Sequence, residues 1–85
     1  MIIPTLNING SSASDLIEPR LKAVASLKLA IEDLLKVTPN GRDYPTTEDC
    51  NTHRTMHYDR IATIHAIWLE IYCEAIAIKN QEQGA

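Results

Sequence analysis

Residues 38–45 read Thr-Pro-Asn-Gly-Arg-Asp-Tyr-Pro, TPNGRDYP, and separate two long stretches of helical character. Pro39 biases Thr38 away from helical geometry, so a helix arriving from the N-terminal side is predicted to stop near Val37. Asn40-Gly41 permits a positive φ, and Pro45 stiffens entry into a second helix. Thr46 or Thr47 then caps that helix while Glu48 and Asp49 face its dipole, and the spacing of Thr46 and Asp49 resembles a capping box. The chain therefore reverses once, and the predicted fold is all-α, an antiparallel helical hairpin.

Working outward, the hairpin is predicted over residues 12–80, with a helix over 12–37, the turn over 38–46 and a helix over 47–80; residues 81–85 read as a fraying tail. Ser12 or Ser14 serves as N-cap of the first helix, with Asp15 and Glu18 in its first turn. Pro19 removes a donor and disfavours helical geometry at Glu18, so either regular helix starts near Glu18 or a bent turn precedes it. Beyond it, Leu21, Val24, Ile31 and Leu35 form one apolar row, and Ala23, Leu27, Ala30 and Leu34 form an adjacent one.

The second helix, about 50 Å long at 1.5 Å per residue, carries two apolar rows. His57, Ile61, Ile64, Trp68, Ile71, Ala75 and Ile78 alternate spacings of four and three, a seam for a neighbouring helix at a shallow angle. Tyr58, Ala62, His65, Leu69, Tyr72 and Ile76 form a second row about 100° around the axis. A single first helix cannot cover both, so a symmetric oligomer formed through the second helix is expected.

Residues 1–11 form an N-terminal arm. Leu6 and Ile8 alternate with polar neighbours before Asn9-Gly10, which reads as a short strand or an extended segment. A lone strand needs a partner, so this arm either lies on a helix or pairs with another copy.

The 85 residues, 45% of them apolar and none of them Phe, suit one small domain whose core is built from Ile, Leu, Ala and Val. A net charge of -3 gives no general attraction to nucleic-acid duplexes or acidic membranes, so a bound anion must be held by a local cluster. Cys50 and Cys73 lie about 35 Å apart along one helix and cannot pair within the chain. The N-terminus lacks a basic leader, and Glu70 and Glu74 break the longest apolar stretch; neither a signal sequence nor a membrane span is expected, and the predicted compartment is the cytoplasm.

Candidate chemistry gathers at the turn and the first third of the second helix. The first backbone N–H groups of that helix point toward the loop, Arg42 offers a planar fork of donors for a phosphate, and Tyr44 a face for a base. The plainer alternative is an Arg42–Asp43 ion pair that fixes the turn. Arg54, His57 and Arg60 would extend the positive site; alternatively His57 packs in the seam with its polar edge bonded to the partner helix. Cys50, His53 and His57 stand at helical offsets compatible with a metal, with no fourth ligand to name. No nucleophile or paired carboxylates accompany the histidines, so no enzyme and no cofactor are predicted. His65, Trp68, Tyr58 and Tyr72 read as packing residues.

The order LNING-S, an amphipathic helix, PNGRDY, then a long helix with the His-x-x-Arg pair His57 and Arg60 resembles the helical hairpin domain of phage nucleotide sponges, small anti-defence proteins that act against CBASS and Thoeris immunity. The likeness runs from Thr5 to Ile78. It implies a non-enzymatic protein of the host cell cytoplasm that sequesters cyclic oligonucleotides or cyclic ADP-ribose isomers in symmetric oligomers, often hexamers, with ligand sites between protomers. The matching positions are Asn40, Gly41, Arg42, Asp43, Tyr44, His57 and Arg60, to which proximity on the helix adds Arg54. The chain departs from the pattern in carrying Pro45 where a second aromatic often follows Tyr44, and in lacking the added sheet of larger members. The alternative function is a protein-interaction or inhibitor module that binds a partner through the apolar face of the second helix.

Overall fold

The computed structural model describes residues 2–6, 10 and 12–84. Two antiparallel helices, α1 (Ala13–Leu35) and α2 (Thr47–Gly84), are joined by a connection that contains one 3₁₀ turn, Gly41–Asp43. The molecule is a rod with extents of 62 × 19 × 17 Å. No strand occurs among the described residues.

Ser12 is the N-cap of α1. Its Oγ accepts the Asp15 N–H at 3.2 Å, and the Asp15 carboxylate accepts the Ser12 N–H at 3.4 Å, closing a capping box. With its first donors satisfied in this way, α1 starts ahead of Pro19 and runs through it; the helix does not wait for Glu18. At the other end α1 stops at Leu35, two residues short of Val37. The Thr38 hydroxyl donates to the Leu35 carbonyl at 2.8 Å, and the Lys36 and Val37 N–H groups close 3₁₀-type bonds to Asp33 and Leu34. These contacts occupy carbonyls that a longer helix would have used. Thr46 Oγ1 accepts the Asp49 N–H at 3.1 Å, the expected cap of α2.

α2 continues past residue 80 to Gly84, and the expected fraying tail is helical over residues 81–84. Gln81 explains why this end is held. Its Nε2 donates to the Pro4 carbonyl at 2.7 Å and its Oε1 accepts the Leu6 N–H at 2.9 Å, so the arm lies against its own α2. Ile8, the other residue of the expected strand, is outside the described residues.

The α2 seam faces α1 as its spacing requires. His57, Ala75 and Ile78 are buried and Ile61, Ile64, Trp68 and Ile71 half-buried. From α1, Val24 is buried and Ala23, Leu27, Ala30, Ile31 and Leu34 are half-buried, whereas Leu21 and Leu35 are exposed. The helix register is fixed near one end by His57 opposite Leu34 and toward the other by an ion pair, Arg20 Nε to Glu74 Oε1 at 3.1 Å. The second row of α2 stays outside: Tyr58, Ala62, His65, Leu69, Tyr72 and Ile76 are all exposed.

Contrary to the expectation drawn from Glu70 and Glu74, α2 is long and apolar enough to cross a membrane by length and composition. The two glutamates are too few to outweigh the isoleucines around them.

Candidate functional site

The tip of the hairpin is braced from behind by side chains of α2. Nearest the helix start, the Tyr44 hydroxyl is hydrogen-bonded to His53 Nδ1, and the two rings meet edge to face with centroids 5.6 Å apart. One residue on, Arg54 Nη2 donates to the Pro39 carbonyl at 3.2 Å and lies 3.6 Å from Cys50 Sγ. One turn further, His57 Nε2 donates to the Leu34 carbonyl at 2.7 Å. His53, Arg54 and His57 share roughly one side of the helix, at 100° per residue. Together they pin successive parts of the connection to α2.

Within the connection, Asn40 Oδ1 accepts the Arg42 N–H at 3.2 Å and caps the 3₁₀ turn. The expected left-handed turn at Asn40-Gly41 is absent, since no described residue has a positive φ. A capped 3₁₀ turn reverses the chain with ordinary φ values, so the glycine is not needed for conformational reach. A Cβ placed on Gly41 would meet nothing within 4 Å.

These contacts sort the predicted ligand residues by availability. His57 is 2% exposed and takes the packing role. Arg54 and Tyr44 are half-buried with polar atoms engaged, and Asn40 is an exposed cap. Arg42, Asp43 and Arg60 are exposed. Among the described residues no ion pair joins Arg42 to Asp43, and neither Arg42 nor Arg60 has a carboxylate partner. The turn is thus fixed by its cap and braces, and the Arg42 guanidinium is left free. Arg60 lies six positions beyond Arg54, the residue that holds Pro39, about 9 Å further along the α2 axis.

Cys50, His53 and His57 do not converge as metal ligands, and no described group of three His, Cys, Asp or Glu side chains does. Their donors are used otherwise: Cys50 is buried, His53 holds Tyr44 and His57 holds Leu34. Both cysteines are free.

Sequence reasoning missed Gln81 and the Arg20–Glu74 pair. Adding three to Ile78 continues the seam to Gln81, a signal that points to an inward side chain but not to the arm as its acceptor. Further along the hairpin, His65, Trp68 and Tyr72 stack in series with centroid separations of 5.5 and 5.6 Å. The Trp68 indole N–H is buried with no partner among the described residues. At the open end, Ile17, Leu21, Tyr72, Ala75 and Ile76 line an apolar groove of about 330 Å³.

Compared with protein-family models, with curated proteins and with solved structures, the chain matches none. The likeness to nucleotide sponges therefore rests on the turn PNGRDY and the His57–Arg60 pair.

Proposed function

We propose that this hairpin is a non-enzymatic binding protein that works as an assembly and sequesters a small phosphate-bearing signal, of the cyclic oligonucleotide or cyclic ADP-ribose class that the sponge likeness names. The observation that carries this reading is the free guanidinium of Arg42, presented on a turn whose backbone is held by Tyr44–His53 and Arg54–Pro39. Phosphate recognition needs a donor fork with no competing carboxylate and little freedom left to lose on binding. Arg60, equally unpaired, lies two turns beyond His53 on the same side of α2.

A thermal-shift screen against cyclic di- and trinucleotides and cyclic ADP-ribose isomers tests the proposal. A ligand at a hundred times its dissociation constant is expected to stabilise the fold by about 2.7 kcal/mol. Arg42→Ala is expected to remove that shift while leaving the ligand-free melt unchanged. No shift with any of these compounds overturns the reading.

A second reading, a module that binds a different protein through α2, is favoured by the continuous exposed row from Tyr58 to Ile76. In that case Arg42→Ala leaves partner binding intact and a charged residue at Leu69 abolishes it.

A further inference from the structure

We infer that two copies of this chain pair antiparallel through the second row of α2, with Tyr58 opposite Ile76, Ala62 opposite Tyr72 and His65 opposite Leu69, to form a four-helix bundle. This deepens the assembly part of the function proposed above and is independent of the ligand.

The surface area is the first observation. A compact monomer of 9.5 kDa exposes about 5,000 Å². The whole chain, arm included, exposes 6237 Å², roughly 1,200 Å² more, and a stable interface removes about 800 Å² from each partner. The excess is therefore large enough to supply one side of a standard interface. The rod shape explains it: two helices in contact bury one stripe each and leave the flanks in water.

The row itself is built for a helix. Tyr58, Ala62, His65, Leu69, Tyr72 and Ile76 are exposed, contain no formally charged side chain, and alternate spacings of four and three. That spacing is the heptad pattern of knobs-into-holes packing, and the row runs about 27 Å along the helix. It is continuous with the apolar groove, because Tyr72 and Ile76 line both.

Residue size sets the orientation. A parallel pair places each residue against itself, so Tyr72 meets Tyr72, Ala62 meets Ala62 and His65 meets His65, crowding one layer and leaving a void in another. Antiparallel pairing about a two-fold axis midway between His65 and Leu69 sets the largest ring against the smallest side chain. The Tyr72–Ala62 layers then fill, and no layer sets two tyrosines or two alanines against each other. The same operation makes the interface self-complementary and closed, as a two-fold dimer requires.

A bilayer is a poorer occupant than a second copy. α1 lies along α2 and carries exposed Lys22, Lys28, Glu32 and Asp33, and α2 itself exposes Asp59 and Glu70. Inserting the hairpin would strand these charges in hydrocarbon. Pairing through one row leaves them in water.

The test uses the full chain in a Cys73→Ser background, where the remaining Cys50 is buried. Sedimentation of the otherwise unchanged chain at micromolar concentration is expected to show a dimer or a multiple of it, and Leu69→Glu is expected to give helical monomers. Tyr58→Cys and Ile76→Cys are then treated with a short bis-maleimide, singly and after co-expression. Cross-linked heterodimer from the co-expressed pair, with little product from either single variant, is the expected result. Efficient cross-linking of each single variant would show parallel pairing and overturn the inference. So would a monomeric parent chain, an unaltered oligomer with Leu69→Glu, or co-sedimentation with phosphatidylglycerol vesicles in place of self-association. None of these outcomes changes the nucleotide thermal shift expected of the Arg42 site, so the two proposals fail separately.

Discussion

His57 Nε2 donates to the Leu34 carbonyl across 2.7 Å, joining the first third of α2 to the last turn of α1. The Leu34 carbonyl lacks its i+4 donor, accepts the Val37 N–H at 3.1 Å and has a second lone pair to fill, and the negative end of the helix dipole gathers there. A buried imidazole N–H answers both. It also fixes the register of the hairpin, because only one residue of α2 reaches that carbonyl.

Removing this side chain combines two losses. His57→Ala removes one of the two donors on the Leu34 carbonyl, leaving the Val37 N–H, and opens a void where a side chain that is 2% exposed had packed. Losing a bond to a carbonyl that keeps another donor costs about 0.5–1.5 kcal/mol, and the lost packing adds to it. The expected destabilisation is about 2–4 kcal/mol, read as a fall in the thermal midpoint of the chain by circular dichroism. His57→Gln, which keeps a donor of similar reach, is expected to lose less. Equal midpoints for His57→Ala and the parent chain would contradict the bracing role.

The seam was legible because burial follows helical period. Spacings of four and three from His57 to Ile78 identify the side of α2 that meets α1, and the row beginning at Tyr58 is exposed as the same geometry demands. The braces were not legible. Which carbonyl Arg54 or His57 meets depends on the register of the two helices, and that is set by the path of the connection rather than by any local pattern. Sequence alone puts the end of α1 two residues late for a related reason, since the Thr38 hydroxyl and His57 take carbonyls that sequence leaves unassigned. At the turn, Asn-Gly pointed to a left-handed residue, and the cap made by Asn40 produced a 3₁₀ turn instead. The candidate site was thus legible as a position, while the division of its residues into braces and free groups was not.

Gly41 separates a structural from a ligand-bearing role at the tip. Its φ is not positive and a Cβ there meets no atom within 4 Å. Gly41→Ala therefore restricts the unfolded chain without straining the folded one, and is expected to stabilise by about 0.4–1 kcal/mol. If a ligand backs onto the turn, the added methyl group obstructs it. Binding would then weaken in the thermal-shift screen while the ligand-free midpoint rises. A lower midpoint without ligand would show that the turn needs glycine after all.

Pro19 is the proline inside α1, and its local preference opposes the helix that contains it. Its ring removes the N–H that would meet the Asp15 carbonyl and crowds that same carbonyl, at a cost of about 3 kcal/mol relative to Ala in a helix interior. The side chain is exposed, so substitution sacrifices no core packing. Part of the gain is offset, because proline also restricts the unfolded chain by about 0.4–1 kcal/mol. Pro19→Ala is therefore expected to stabilise the hairpin by about 2 kcal/mol, seen as a higher thermal midpoint and slower amide exchange over the first turns of α1. An unchanged or lower midpoint would mean that the proline shapes the start of α1 in a way the capping box at Ser12 and Asp15 cannot replace. The first five residues of α1 include Ser14 and Ile17, which line the groove at the open end, so the same variant reports whether that groove depends on the geometry proline imposes.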